Sequence, residues 1–313
     1  KALGNNVSAM EFKSLTIASG GTYNATSGTT TITNKNGSNY IIQIGGLFNH
    51  NEGTVYIDTS VTGDKLLDLI PSSGVGLKHL IVNEDGSGVV QYNGNTTIAG
   101  NLTIEEGIFQ FYDNNNSNLT VTGDVDIESG GQLGAAGWAG AGEFGGIRIN
   151  SGGTYQATSG TTTITNRFTG TSNLWKNDGG TFTHNNGTVK FTDNDHSLVK
   201  EAGSFYNFEQ ASSLGDYALL WETGGGGSCT ILNNLTITRG DFEIHAAGDT
   251  LDIHGQTILN GSSDSGARFN NDKNQTGTIT HHGIVTINGG TYHVEDGATV
   301  NMAGIRNLGG VVD

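Results

Sequence analysis

The chain has little cysteine, proline or positive charge. Cys229 is the only cysteine among 313 residues, so no intrachain disulfide can staple the fold. A lone cysteine fits either a reducing compartment or a fold that needs no bridge. With Pro71 the only proline, nearly every backbone N–H is free to donate, as long hydrogen-bonded ladders require. No apolar run approaches the roughly 18 residues of a membrane-spanning helix. The opening Lys1-Ala2-Leu3-Gly4-Asn5 carries no signal-peptide core. A removed signal, a fragment or another route of export are the expectations that leaves. Only 14% of residues are charged, too few for a disordered tail. Asp and Glu number 30 against 14 Lys and Arg, a formal charge of −16 that disfavours nucleic acid and anionic membrane surfaces as partners.

What the chain does have is glycine, 51 residues of it, with abundant Thr, Asn and Ser. Short runs such as Leu15-Thr16-Ile17, Thr54-Val55-Tyr56-Ile57, Leu119-Thr120-Val121-Thr122 and Val125-Asp126-Ile127 alternate apolar with polar, the period of half-buried strands. Gly and Asn-Gly separate them. This pattern predicts an all-β chain of short strands and tight turns. One stretch, Leu66–Ile70 (LLDLI), reads as a candidate turn of helix closed by Pro71.

The chain also copies itself. Ser19–Asn34 (SGGTYNATSGTTTITN) recurs as Ser151–Asn166 with one difference, Asn24 against Gln156, at an offset of 151 − 19 = 132 residues. The match continues. Phe48-Asn49-His50 answers to Phe182-Thr183-His184, Asn101-Leu102-Thr103-Ile104 to Asn234-Leu235-Thr236-Ile237, and Leu119/Val121/Gly123 to Leu251/Ile253/Gly255. Self-similarity at a fixed period is the signature of stacked repeats. The organisation expected is a lead-in over 1–10, one repeat unit over 11–142, a second over 143–274, and a partial third over 275–313 that opens on Gly289-Gly290-Thr291-Tyr292. Gly134–Gly142 is the expected junction loop, with further loops at Asn114–Asn116, Gly224–Gly227 and Ser262–Asp272.

Two architectures share these signals: tandem β-sandwiches, and a parallel β-helix or β-solenoid whose strands pair with the coil above and below. Short strands, Thr and Asn that can stack between coils, and near-absent proline favour the solenoid. At about 22 residues per coil, one repeat makes about six coils, or ~29 Å at a spacing of ~4.8 Å. Solenoid ends expose unpaired backbone, so association with further subunits is expected.

No Ser-His-Asp order, Cys-His pair, phosphate loop or zinc spacing stands out, and the expectation is a non-enzymatic protein without cofactor or metal. His50 and His184 share a Phe-x-His-x-x-Gly motif, and Thr280-His281-His282-Gly283 reads as a degenerate third copy. At ~29 Å apart such histidines cannot share an ion, so corner or core histidines bonded to backbone are expected, on the same inward side as the preceding Phe. Asp193-Asn194-Asp195-His196, near Glu201, is the densest acidic cluster. Asp193 and Asp195 are the weak catalytic candidates, since glycosidases pair carboxylates about 5–9 Å apart; turn chemistry is the plainer reading. Asn83–Gly88 (NEDGSG) faintly matches a calcium loop but lacks its spaced ligands. Among the tryptophans, Trp175 and Trp221 occur only in the second unit and are candidates for surface or glycan contact. Sequons such as Asn95-Thr96-Thr97, Asn101-Leu102-Thr103 and Asn234-Leu235-Thr236 follow from composition.

The repeats SGGTYxATSGTTTIT, FTHNNGTVKF and GNLTI…LTVTGDVDI resemble those of long Gly/Thr/Asn-rich virion proteins of marine tailed phages, in tail fibres and appendages, and those of some bacterial surface adhesins. The resemblance covers nearly the whole chain. It implies a rigid, oligomeric β-rod at a virion surface, or otherwise at a cell surface. The partners it implies are its own copies, other virion proteins or a host glycan. It carries no catalytic residues. A polysaccharide-cleaving β-helix using Asp193 and Asp195 is the enzymatic alternative.

Overall fold

The computed structural model of the chain describes residues 8–69, 76–86, 88–112, 116–193, 197–200, 203–212, 218–222, 227–244, 248–261, 267–271, 277–294 and 298–312. Among these there is no helix, and the strands run parallel, stacked as a β-solenoid of about 11 turns. Residues group into two compact units. The first comprises Lys1–Phe144, Arg148–Gly160 and Gly179–Thr183; the second comprises Gly145–Ile147, Thr161–Asp178 and His184–Asp313.

In the first unit, one ladder runs through the strands Met10–Phe12, Thr29–Ile32, Thr54–Thr59, His79–Glu84, Leu102–Phe111 and Val125–Ile127. Met10, Thr30, Val55, Leu80, Leu102 and Val125 stand in register, so each turn takes about 20 to 25 residues. Alternation along these strands, as far as Ile104 in the longest of them, sends every second side chain inward. Ile32, Ile57, Val82, Ile104 and Ile127 therefore form one column, each with no exposed surface. β-branched residues dominate it because they fit a pleated surface at low entropic cost. Thr31, Tyr56, Ile81, Thr103 and Asp126 form the matching outward column.

A second ladder of this unit holds Leu15–Ile17, Tyr40–Ile44, Lys65–Asp68, Val90–Tyr92 and the distal half of Leu102–Phe111, continuing to Gly131–Leu133, Thr154–Gln156 and Thr181–Thr183. Leu66 and Leu67, read from sequence as part of a helical turn, belong to this ladder opposite Gln91 and Tyr92. Parallel partners on both sides satisfy their backbone, which outweighs the local helical preference of a leucine pair. The repeat shows here as aromatic packing. Phe12–Tyr23 and Phe144–Tyr155 both meet edge-on at 6.0 Å, and Tyr23–Phe48 and Tyr155–Phe182 lie at 5.6 and 5.7 Å.

The second unit is built the same way with more aromatic filling. Phe242, Phe269 and Tyr292 stack on successive turns, with centroids 5.6 and then 5.0 Å apart. A neighbouring column carries Cys229, Leu251 and Ile279. Ala267–Asn271 is a strand, not part of a long loop as expected for Ser262–Asp272, while residues 262–266 lie outside the described set, as do 113–115 and 223–226. Of the loop expected over Gly134–Gly142, residues 134–141 connect the strands Gly131–Leu133 and Gly142–Phe144, and Gly142 belongs to the second of these. The loop is anchored by Trp138, whose buried indole N–H donates to the Ser117 carbonyl at 2.8 Å.

Candidate functional site

Polar side chains of the solenoid corners are consumed by the stacking itself. Asn95 Oδ1 accepts the N–H of Asn118, and Asn118 Oδ1 accepts that of Ala141, one turn on each time. Asn101 Oδ1 accepts from Asp124 N–H, and its repeat mate Asn234 accepts from Gln256 N–H. Amide ladders Asn24–Asn49, Asn207–Asn233 and Asn260–Asn288 span 2.6, 2.9 and 2.7 Å. The sequon asparagines are thus corner clamps, each satisfying a backbone donor that the corner would otherwise leave without a protein partner.

The Phe-x-His-x-x-Gly motif is a turn device. In both copies the glycine N–H closes on the histidine carbonyl at 2.9 Å, Gly53 on His50 and Gly187 on His184. The two central residues have positive φ, 53° and 60° at Asn51 and Glu52, and 46° and 61° at Asn185 and Asn186. Such a turn suits asparagine, and Glu52 is the departure from it. In each copy the histidine Nδ1 accepts the N–H of the second central residue at 3.0 Å, from Glu52 and from Asn186. Nδ1 thus serves the turn in both copies, and Glu52 Oε1 also stands 3.7 Å from His50 Nδ1. Partial burial also lowers the pKa of His184. The expected third copy does not form this turn. Thr280–Gly283 lies within the strand Thr278–Gly289, where the His281 ring is buried and His282 is exposed.

Beside the first of these turns, Thr54, His79, Leu80, Ile81, Asn101 and Thr103 line a shallow groove of about 270 Å³. Lys78 bonds Glu52 at 2.9 Å, holding that carboxyl below its ordinary range. His79 Nδ1 accepts the Asn101 N–H at 3.0 Å, and its pKa is lowered chiefly by burial and then by Lys78. On the same outward face, Tyr56 Oη donates to Glu105 Oε2 and accepts from Asn83 Nδ2, both at 3.1 Å; Asn83 also donates to Asp58. Burial, then the nearby carboxylates, raise the tyrosine pKa. The groove's own lining mixes apolar Leu80 and Ile81 with the hydroxyls of Thr54 and Thr103, the Asn101 amide and the His79 ring, so it offers hydrogen bonds of both senses beside apolar surface, a lining that hydroxyl-rich ligands can use.

The residues singled out from sequence fall elsewhere. Asp193 is half exposed just beyond the strand Thr188–Phe191, while Asp195, His196 and Glu201 lie outside the described residues. Trp175 is fully buried and packs edge-on to Phe205 at 5.3 Å, so its ring is core and offers no face to a surface ligand. Trp221 stands in the strand Ala218–Glu222, in register with Val199 and Ile244. Glu84, in the segment that faintly matches a calcium loop, ends the strand His79–Glu84 with its side chain in the core. Among the described residues no group of three or more His, Cys, Asp or Glu is placed to hold a metal ion. The groove escaped the sequence reading because its residues come from three separate turns; the one available signal was the register implied by the period.

The fold and these corners define a β-solenoid repeat protein. No protein family, curated protein or solved structure matches the chain, so its residues and geometry carry the functional reading.

Proposed function

We propose that this chain is a non-enzymatic structural and adhesive β-solenoid of a phage virion, part of a fibre, appendage or surface decoration. The observation that carries the mechanical part is the unbroken parallel register from Met10 to Val125, in which each turn's inner residues sit on those of the turn before. Bending or shearing such a stack must break ladder bonds and unpack a continuous column at once, so resistance is shared over many turns. Cross-turn ion pairs such as Lys190–Glu209 at 3.0 Å and Arg268–Asp241 at 2.5 Å add to the outer surface of the second unit. The groove beside Tyr56 and His79 is the surface offered to a glycan. The virion assignment rests on the repeat style of SGGTYxATSGTTTIT and its companions.

Antibodies raised against the chain, used to gold-label purified phage particles for electron microscopy, test this. Label at regular positions on the particle is expected. Label confined to bacterial surfaces would move the protein to the adhesin or filament class. Polymer cleavage lost on Asp195→Asn would instead establish the enzymatic reading.

A further inference from the structure

The core of the first unit contains a feature that an aliphatic column does not need. Lys65 opens the strand Lys65–Asp68, and Glu84 closes the strand His79–Glu84. Their side chains are 0% and 1% exposed, and Lys65 Nζ stands 2.5 Å from Glu84 Oε1. Glu84 Oε2 is also buried and has no hydrogen-bond partner among the described residues. Two glycines form the wall around this carboxyl group. A Cβ at Gly86 would come within 2.8 Å of Oε1, and one at Gly107 within 3.2 Å of Oε2. Any larger residue would crowd the carboxyl group, so the corner leaves room for little besides these two side chains.

An ammonium and a carboxylate held here have lost their water, and one carboxylate oxygen has gained nothing in its place. Burial of this kind is costly to both ions. Moving one proton from the ammonium to Oε2 cancels both charges. The neutral amine is then held against a neutral carboxylic acid in a dry site, the arrangement from which amides form at high effective concentration.

We propose that Lys65 and Glu84 join in an intramolecular isopeptide bond. Nζ attacks Cδ, a C–N bond forms, and the bond from Cδ to Oε2 breaks. Oε2 leaves as water, carrying its own proton and one from the amine. No oxidant, reductant or activating group is consumed. The product is a neutral amide, and the core bears a neutral amide more readily than a charge pair. The link closes a loop across 19 residues of chain and ties a strand of the second ladder to a strand of the first, so that the segment between them cannot unwind from the core without breaking a covalent bond. The inference is independent of where the protein works.

Intact-mass spectrometry of the purified full chain is the test. A mass one water below the sequence sum is expected, with a proteolytic map that joins the Lys65 peptide to the Glu84 peptide. Lys65→Arg keeps the positive charge but cannot form this amide, and should restore the full sequence mass. A wild-type mass equal to the sequence sum overturns the proposal, as does a water loss that persists in Lys65→Arg. Should that variant fail to fold, the joined or separate peptides of the wild-type map decide alone.

Discussion

His281 Nε2 stands 2.8 Å from the hydroxyl of Tyr292, in a column where the two preceding turns place Ile253 and Ile231. On the other side of the ring, Nδ1 meets the Thr257 hydroxyl at 2.7 Å, and Phe269 packs edge-on at 5.5 Å. Hydroxyls can donate or accept, so either neutral tautomer is satisfied at both nitrogens. A protonated ring would bring a buried charge with no carboxylate among these contacts.

Burial accordingly pushes the His281 pKa down to about 4 from an ordinary 6.5. Because the folded value is the lower one, the unfolded chain binds the extra proton between them. The stabilisation is complete above about pH 6.5, falls as pH drops toward about 4, and changes no further below it. A displacement of that size is worth about 3 kcal/mol in all. His79 and His184, also held low by burial, act in the same direction. Urea denaturation at about pH 7 and about pH 4.5 should show the loss, and His281→Gln should remove most of it. An unchanged dependence in that variant would place the proton elsewhere.

Gly53 is buried where the turn after His50 enters the strand Thr54–Thr59. A Cβ there would lie 2.1 Å from the Thr26 carbonyl oxygen and 2.7 Å from that of Gly28, both backbone atoms, the latter fixed by accepting the Thr54 N–H at 3.0 Å. Gly53→Ala should therefore cost at least about 3 kcal/mol, by overpacking that cannot relax. Gly37 is exposed with nothing near its Cβ position, and Gly37→Ala should stay within about 0.5 kcal/mol of wild type. Equal thermal shifts in the two variants would contradict the close approach of successive turns at this corner.

Much of this was legible in the sequence, because the solenoid writes its period into the chain. The 132-residue copy and the alternation in Leu15–Ile17, Thr54–Ile57 and Val125–Ile127 pointed to the stacked strands that the register shows. Failures cluster where alternation breaks. In Asn173–Asp178 three consecutive residues, Asn173, Leu174 and Trp175, are buried, and the pairing register slips between Asn173 and Trp175. Such a bulge reverses the inward phase, so a tryptophan that alternation would have left outside is core. Ile41 and Ile42, both buried beside another slip, show the same effect. Lys65 and His281 were missed for a different reason. Residue type argues for the surface, and only a partner from the next turn makes burial tolerable.

Ile104 tests the column directly. It lies between Val82 and Ile127 with no exposed surface, whereas its neighbour Thr103 points outward from the same strand. Ile104→Ala should cost about 2–5 kcal/mol through lost burial and the cavity left behind. Thr103→Ala should cost below about 1 kcal/mol. Chemical denaturation of the two variants measures the difference, and similar losses would mean that the inward and outward faces have been assigned wrongly.

Cys229 extends the same reasoning to reactivity. Its thiol is 1% exposed, precedes Leu251 and Ile279 in an inward column, and donates to the Gly203 carbonyl with Sγ 2.8 Å from the oxygen. Burial raises its pKa well above the ordinary value, outweighing the opposite influence of the Thr230 backbone N–H. The nucleophilic thiolate is thus scarce as well as inaccessible, and alkylation must wait for the turns on either side to open. Iodoacetamide should label the native chain at least about a hundredfold more slowly than the urea-unfolded chain, with a rate that rises as denaturant approaches the unfolding midpoint. Labelling of the native protein at the unfolded rate would mean that the turns around Cys229 separate freely, which a continuous stack of parallel ladders does not allow.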